Sequence, residues 1–258
     1  MASTPTIITN ITSPIGEACA RICADAGRRL ILSDPHEDQG RAIAEGLSSK
    51  SEDVIFLHAD AANKLDVHNV LAEALESFGH VSALIHNAIP AAPSAEGDSE
   101  EDEFEPLFKS SVYGTNLINQ AVAKQFARQR ENAAPTDNKS PSIVNITSAN
   151  ASVTARPVMA AIEGAITEMT RALALEIAEF GGRANTIAVG AAMGGLYSSE
   201  QLKAIQKISP LGRVGDADDV GEAAAFMTSD AASFLTGQTV KIDGGGLTRL
   251  SRLTDAVG

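Results

Sequence analysis

Two cysteines in 258 residues leave no material for a disulfide framework. Cys19 and Cys23 lie four apart on what reads as one helix face, beside Ile15 and Ile22. They are expected as buried free thiols rather than as bridge or metal ligands. Basic residues are also scarce: 20 Lys and Arg stand against 33 Asp and Glu, a formal charge of −13. Surfaces that grip nucleic acid or anionic membranes neutralise phosphates with clustered Lys and Arg, so both partners are excluded here. No apolar run reaches the roughly 18 residues that a spanning helix needs. The opening Met1-Ala2-Ser3-Thr4-Pro5 has neither a basic region leading into an apolar stretch nor an Arg-rich amphipathic helix. No targeting peptide is expected, and a cytoplasmic location follows.

What is present describes a globular protein: 44% apolar and 21% charged residues, with a mean hydropathy near zero. A chain of this length can bury one large core, so one domain over 1–258 is the default. Short β-branched runs alternate with longer segments of helical period. Strands are expected at Thr6-Ile8, Leu30-Ser33, Val54-His58, Val81-His86, Ile143-Ile146, Thr186-Val189 and Val240-Ile242. Between them, Lys64-Phe78 repeats Val67, Val70, Leu71, Leu75 and Phe78 at three- and four-residue spacing, which makes one apolar face. The alternation predicts a doubly wound, Rossmann-like α/β fold with a seven-stranded parallel sheet. Right-handed crossovers then put helices on both faces. The acidic stretch Ser94-Glu105 and the polar stretch Glu131-Pro141 are expected as surface loops.

The first strand runs into Thr9-Asn10-Ile11-Thr12-Ser13-Pro14-Ile15-Gly16 and then a helix, where a dinucleotide-binding fold has its phosphate loop. This turn resembles that of the short-chain dehydrogenase/reductase family, which reads Thr-Gly-x-x-x-Gly-Ile-Gly. Thr9, Ile15 and Gly16 are kept, while Asn10 and Pro14 replace two glycines. Asn tolerates a left-handed backbone, so Asn10 can preserve the tight turn. Pro14 suits the first position of a helix that Ser13 would cap, but it removes one N–H and adds a ring where a cofactor's phosphates approach. Either a phosphate site survives or the turn is simply a helix start. Asp34 follows the second strand, where a carboxylate accepts from the adenosine ribose and repels the extra phosphate of NADP. Asp60 and Asn87 match the family's residues beside the adenine and in its Asn-Asn-Ala-Gly motif. For Asp34 and Asp60 the alternative is a carboxylate that caps its own turn. Val189-Gly190-Ala191-Ala192-Met193-Gly194 lacks the proline and threonine that the family uses at the nicotinamide. The resemblance thus implies NAD through its adenosine half, or no cofactor.

The likeness resumes at Pro210-Leu211-Gly212-Arg213-Val214-Gly215 and at Phe234-Leu235-Thr236-Gly237-Gln238 with Asp243-Gly244-Gly245-Gly246. It also fixes the register of Met159-Glu176, which is similar to the family's active-site helix. There the Tyr-x-x-x-Lys pair falls on Met159 and Glu163, one turn apart. A thioether cannot carry the proton that the tyrosine moves, and a carboxylate raises rather than lowers the pKa of a neighbouring acid. The family's serine survives as Ser148, and its assisting asparagine falls on Ser111. On this reading Glu163 is a new general acid/base, Ser148 orients an oxygen, and His86 at the end of the fourth strand is a possible partner. The resulting expectation is non-redox chemistry on a small organic molecule, such as isomerisation, elimination, cyclisation or ring opening. Two alternatives stand beside it: an NAD-dependent oxidoreductase with a relocated proton donor, and a catalytically silent binding subunit. The resemblance also implies a homodimer or homotetramer, and a lid over the substrate from Met193-Ile208.

Overall fold

The computed structural model describes residues 4–48, 53–90, 100–132, 140–149, 156–190 and 199–249. The β-branched runs form the strands β1 (Thr6–Thr9), β2 (Leu30–Asp34), β3 (Val54–His58), β4 (Ala83–Asn87), β5 (Ser142–Ser148), β6 (Arg183–Val189) and β7 (Thr239–Ile242). They lie in the order β3-β2-β1-β4-β5-β6-β7, every neighbouring pair parallel. From β1 the chain winds outward through β2 and β3, then returns to place β4 on the other side of β1. That reversal opens a crevice at the carboxyl ends of β1 and β4, the place where open α/β sheets bind ligands.

The helices are α1 (Pro14–Asp25), α2 (Glu37–Ser48), α3 (Lys64–Phe78), α4 (Glu100–Phe108), α5 (Gly114–Glu131), α6 (Pro157–Ala178), α7 (Ser199–Ile208) and α8 (Ala217–Met227). Period-two alternation divides the core between the two faces of the sheet. Ile8, Leu32, Ile85, Val144 and Ile187 pack with Ile15, Cys19 and Cys23 of α1, Leu47 of α2 and Val220 of α8. On the other face, Ile7, Ile31, Leu84 and Ile143 meet Val67 and Phe78 of α3, Ile118 and Phe126 of α5, and Leu173 and Ile177 of α6. Both cysteines are buried and free, and burial pushes their thiols up, away from reactivity. Close approach of α1 to α8 needs Gly221, because a Cβ there would come within 2.6 Å of Ile22 and 3.1 Å of the Ala18 backbone.

The acidic stretch departs from expectation. Residues 91–99 lie outside the described set, but from Glu100 the chain is helical and continues through a π-turn, Lys109–Tyr113, into α5. Phe104 and Phe108, four apart, stack at 5.6 Å and supply an apolar contact that the charge density hides. The polar stretch begins as expected where α5 ends at Glu131, and its residues 133–139 lie outside the described set. The expected lid is half described: 199–208 form α7, and 193–198 lie outside. Among the described residues, no helix is long and apolar enough to cross a membrane.

Candidate active site

The turn between β1 and α1 is built from short polar side chains. Asn10 has φ 56°, the one positive φ at a non-glycine position among the described residues. It therefore holds the left-handed turn that a glycine would otherwise supply. Its side-chain amide donates to the Asn87 carbonyl at 2.6 Å, and the Asn87 amide donates to Ser13 Oγ at 2.7 Å, which pins the turn to the end of β4. Ser13 caps α1 by accepting from the Gly16 N–H at 3.0 Å, and Pro14 occupies the first helical position. Proline is at no disadvantage there, since its missing N–H would find no partner within the helix. Gly16 is sterically required: a Cβ would stand 2.2 Å from the Asn10 carbonyl oxygen. Ile15 buries its side chain in the core under β1. Pro14 lacks an N–H and Ser13 takes that of Gly16, so of the first three helical positions at most the Ile15 amide is left for an outside acceptor.

Asp34, at the end of β2, is 1% exposed and its carboxylate is engaged inside the protein. Oδ2 accepts from the Thr12 N–H at 2.8 Å, which braces the β1–α1 turn. Oδ1 accepts from the His36 N–H at 2.8 Å and lies 2.9 Å from the His36 ring nitrogen. The turn-capping role is thus realised, and a ribose hydroxyl would reach this carboxylate by displacing the exposed His36 ring. Asp60, after β3, is exposed and caps its own turn by accepting from the Ala62 N–H at 2.8 Å.

Ser148 ends β5 opposite Val189 and is nearly buried at 9% exposure. Met159 and Glu163 lie one turn apart on α6, both half-buried. Met159 packs against an apolar cluster formed by Ala88, Val112, Val158, Ile162 and Ile166, so hydrocarbon and sulfur fill this side of α6. Ser111 is buried in the π-turn, a kind of helix defect that recurs at functional sites. Residues 191–198, which include most of the stretch expected beside the nicotinamide, lie outside the described set.

His86 does not partner Glu163. It is wholly buried, with Nδ1 2.6 Å from Thr9 Oγ1 and Nε2 3.1 Å from Thr115 Oγ1. Thr115 spends its single hydroxyl proton on the Ser111 carbonyl, so it accepts from His86 and the ring proton is assigned to Nε2. Thr9 then donates to Nδ1. Burial pushes the imidazole down to about 4, which keeps it neutral. The strand-end position that suggested catalysis instead puts the ring between strand and helix. Thr115 escaped the sequence reading, although a hydroxyl four residues after Ser111 was a visible signal.

An open parallel sheet that reverses at β1 and β4, with a capped turn after its first strand, defines a doubly wound α/β protein with its crevice at the strand ends. The model of a family described as enoyl-(acyl carrier protein) reductase matches residues 11–246, and the chain belongs to the short-chain dehydrogenase/reductase family. It is 28% identical to the L-fucose dehydrogenase of Mus musculus, over 93% of this chain and 86% of that protein. To the glucose 1-dehydrogenase of Gluconobacter oxydans (strain 621H) it is 27% identical, over 93% and 90%. The crystal structure of gox2181 has the same fold, with a TM-score of 0.83 at 27% identity, covering 96% of this chain and 97% of that one. These findings correct the expectation of isomerisation, elimination, cyclisation or ring opening. The relatives are named as dehydrogenases and the matching family model as a reductase, which favours redox chemistry.

Proposed function

We propose that this protein is an NAD-dependent oxidoreductase that interconverts a hydroxyl and a carbonyl on a small ring compound. The β1–α1 turn carries this reading. Two of its glycines are gone, yet Asn10 still turns left-handed and Gly16 still packs without a Cβ on the Asn10 carbonyl. These residues fit a dinucleotide: the Ile15 amide at the helix N-terminus would be the one to meet its phosphates, and Asp34 and Asp60 would put carboxylates at the adenosine end, where a 2′-phosphate would be repelled. The nicotinamide supplies hydride transfer when bound. Ser148 orients the substrate oxygen with its hydroxyl, and Glu163 accepts hydrogen bonds where the family's lysine donates them. Met159 moves no proton and keeps water from one wall. The proton on the substrate oxygen therefore passes through Ser148 and solvent. The ring-compound class rests on relatives named for L-fucose and glucose.

The packing of Met159 among apolar groups favours one second reading, a subunit that binds the dinucleotide without turning it over. Calorimetric titration with NAD and NADP, followed by the nicotinamide absorbance band with a panel of aldoses and cyclic diols, separates the two. Binding of NAD with turnover of a panel member is the expected result. Binding with complete silence across the panel selects the second reading, and no binding of either dinucleotide refutes both.

A further inference from the structure

Hydrogen-bond register across the sheet aligns one polar residue from each of five strands: Ser33, Thr9, His86, Asn145 and Thr186 are lateral neighbours. All are at most 3% exposed and, being in register on parallel strands, they point to the same face. A polar row through an otherwise apolar face is costly unless its members bond one another and the helices above. His86 stands at its centre and bonds in both directions, sideways to Thr9 and outward to Thr115 of α5. The donor sequence runs Thr9 Oγ1 to Nδ1, Nε2 to Thr115 Oγ1, and Thr115 Oγ1 to the Ser111 carbonyl. A chain that ends on a carbonyl has no further proton acceptor, so it transmits position rather than protons. One end adjoins Asn10, whose left-handed backbone shapes the phosphate turn, and the other is the π-turn that carries Ser111.

We propose that His86 is a positioning residue that ties the dinucleotide turn at Thr9–Asn10 to the π-turn at Lys109–Tyr113 through Thr115, so that filling the first orders the second. The inference rests on the dinucleotide reading above. Burial keeps the ring neutral at physiological pH, so the link keeps one donor direction. A π-turn has a ready alternative in regular helix, which gives the far end something to be ordered against.

The test is amide hydrogen exchange by mass spectrometry on the full chain, with and without saturating NAD, in the wild type and in Thr115→Val and Thr115→Ser. In the wild type NAD is expected to slow exchange in both 9–17 and 109–115, the second by about three- to tenfold, the factor that one net hydrogen bond is worth. Thr115→Ser keeps the hydroxyl and should behave as wild type. Thr115→Val should bind NAD and protect 9–17 alone, an outcome that a purely structural role would not produce. Should the valine variant fail to fold, His86→Asn serves in its place, because the shorter amide spans one of the two hydroxyls and not both. Equal protection of both segments in the folded variant overturns the link, as does wild-type protection confined to 9–17. Absence of NAD binding to the wild type overturns the link together with the dinucleotide reading.

Discussion

Acid should weaken this protein through His86, by an amount that follows from where the ring sits. In the unfolded chain the imidazole takes a proton near its ordinary pKa of 6.5, whereas in the fold burial holds it down to about 4. Between those values the unfolded state binds a proton that the native state refuses. A base whose native pKa is depressed thus contributes its full stability above pH 6.5 and loses it as pH falls toward 4. Two and a half units at about 1.4 kcal/mol each give a loss of about 3–4 kcal/mol, a large share of the roughly 5–15 kcal/mol that holds a domain together. The assay is denaturant unfolding at several pH values between 7 and 4.5 for the wild type and His86→Asn, which removes the titrating ring. The variant should be less stable at pH 7 by about 1–3 kcal/mol, the cost of leaving one hydroxyl unpaired, and the gap should close as the pH drops. All other titrating groups are common to both proteins and cancel in the difference. A gap that stays constant from pH 7 to 4.5 would refute the assignment of His86 as a buried neutral histidine.

Asn10→Ala should destabilise by about 2 kcal/mol in urea unfolding, from a left-handed alanine and the lost bond to Asn87, while Asn10→Gly should cost under about 1 kcal/mol. An equal cost for both substitutions would show that the turn does not depend on φ. His36→Ala clears the ring from Asp34 Oδ1, so calorimetry with ADP-ribose should show affinity rising about three- to tenfold; a fall would mean that the ring helps to hold the ribose. Met159→Tyr combined with Glu163→Lys puts a phenol and an ammonium on α6 at the positions that resemble the family's catalytic pair. NAD-linked turnover of an accepted substrate should rise by about a hundredfold, the low end of what a positioned acid or base contributes. No gain would mean that more than these two positions separates the site from its relatives.

Much of this architecture was legible because it is written in local chemistry. The first strand, the tolerance of Asn10 for positive φ, the Ser13 cap and Pro14 at the first helical position each depend on a few adjacent residues, and the structure has them as read. Lys64–Phe78 forms over the expected span because its apolar spacing and its Asn63 cap coincide. The acidic stretch was misread for the converse reason. Charge density masked a helix whose apolar contacts are carried by a few side chains, Phe104 stacked on Phe108, with Leu107 and Phe108 against the cluster around Val112 and Ile162.

His86 shows where such reading stops, and why. A histidine at a strand's carboxyl end in this fold points to catalysis by position alone. What decides its role is sheet register, which sets Thr9 beside it, and helix packing, which sets Thr115 above it. Those partners lie 77 and 29 residues away. The same distinction governs Met159 and Glu163. By resemblance they stand where the family has its proton carrier, but a phenol missing from that place does not specify the chemistry that replaces it. Inferring a change of reaction class from that loss assumed that hydride transfer needs the phenol. Hydride transfer needs the nicotinamide positioned against the substrate carbon, and the proton is a separate requirement that a serine and water can meet at lower rate. The parts proposed to hold a dinucleotide are therefore the better guide to reaction class, and these are the turn, the Asn10–Asn87 tie and the carboxylates after β2 and β3.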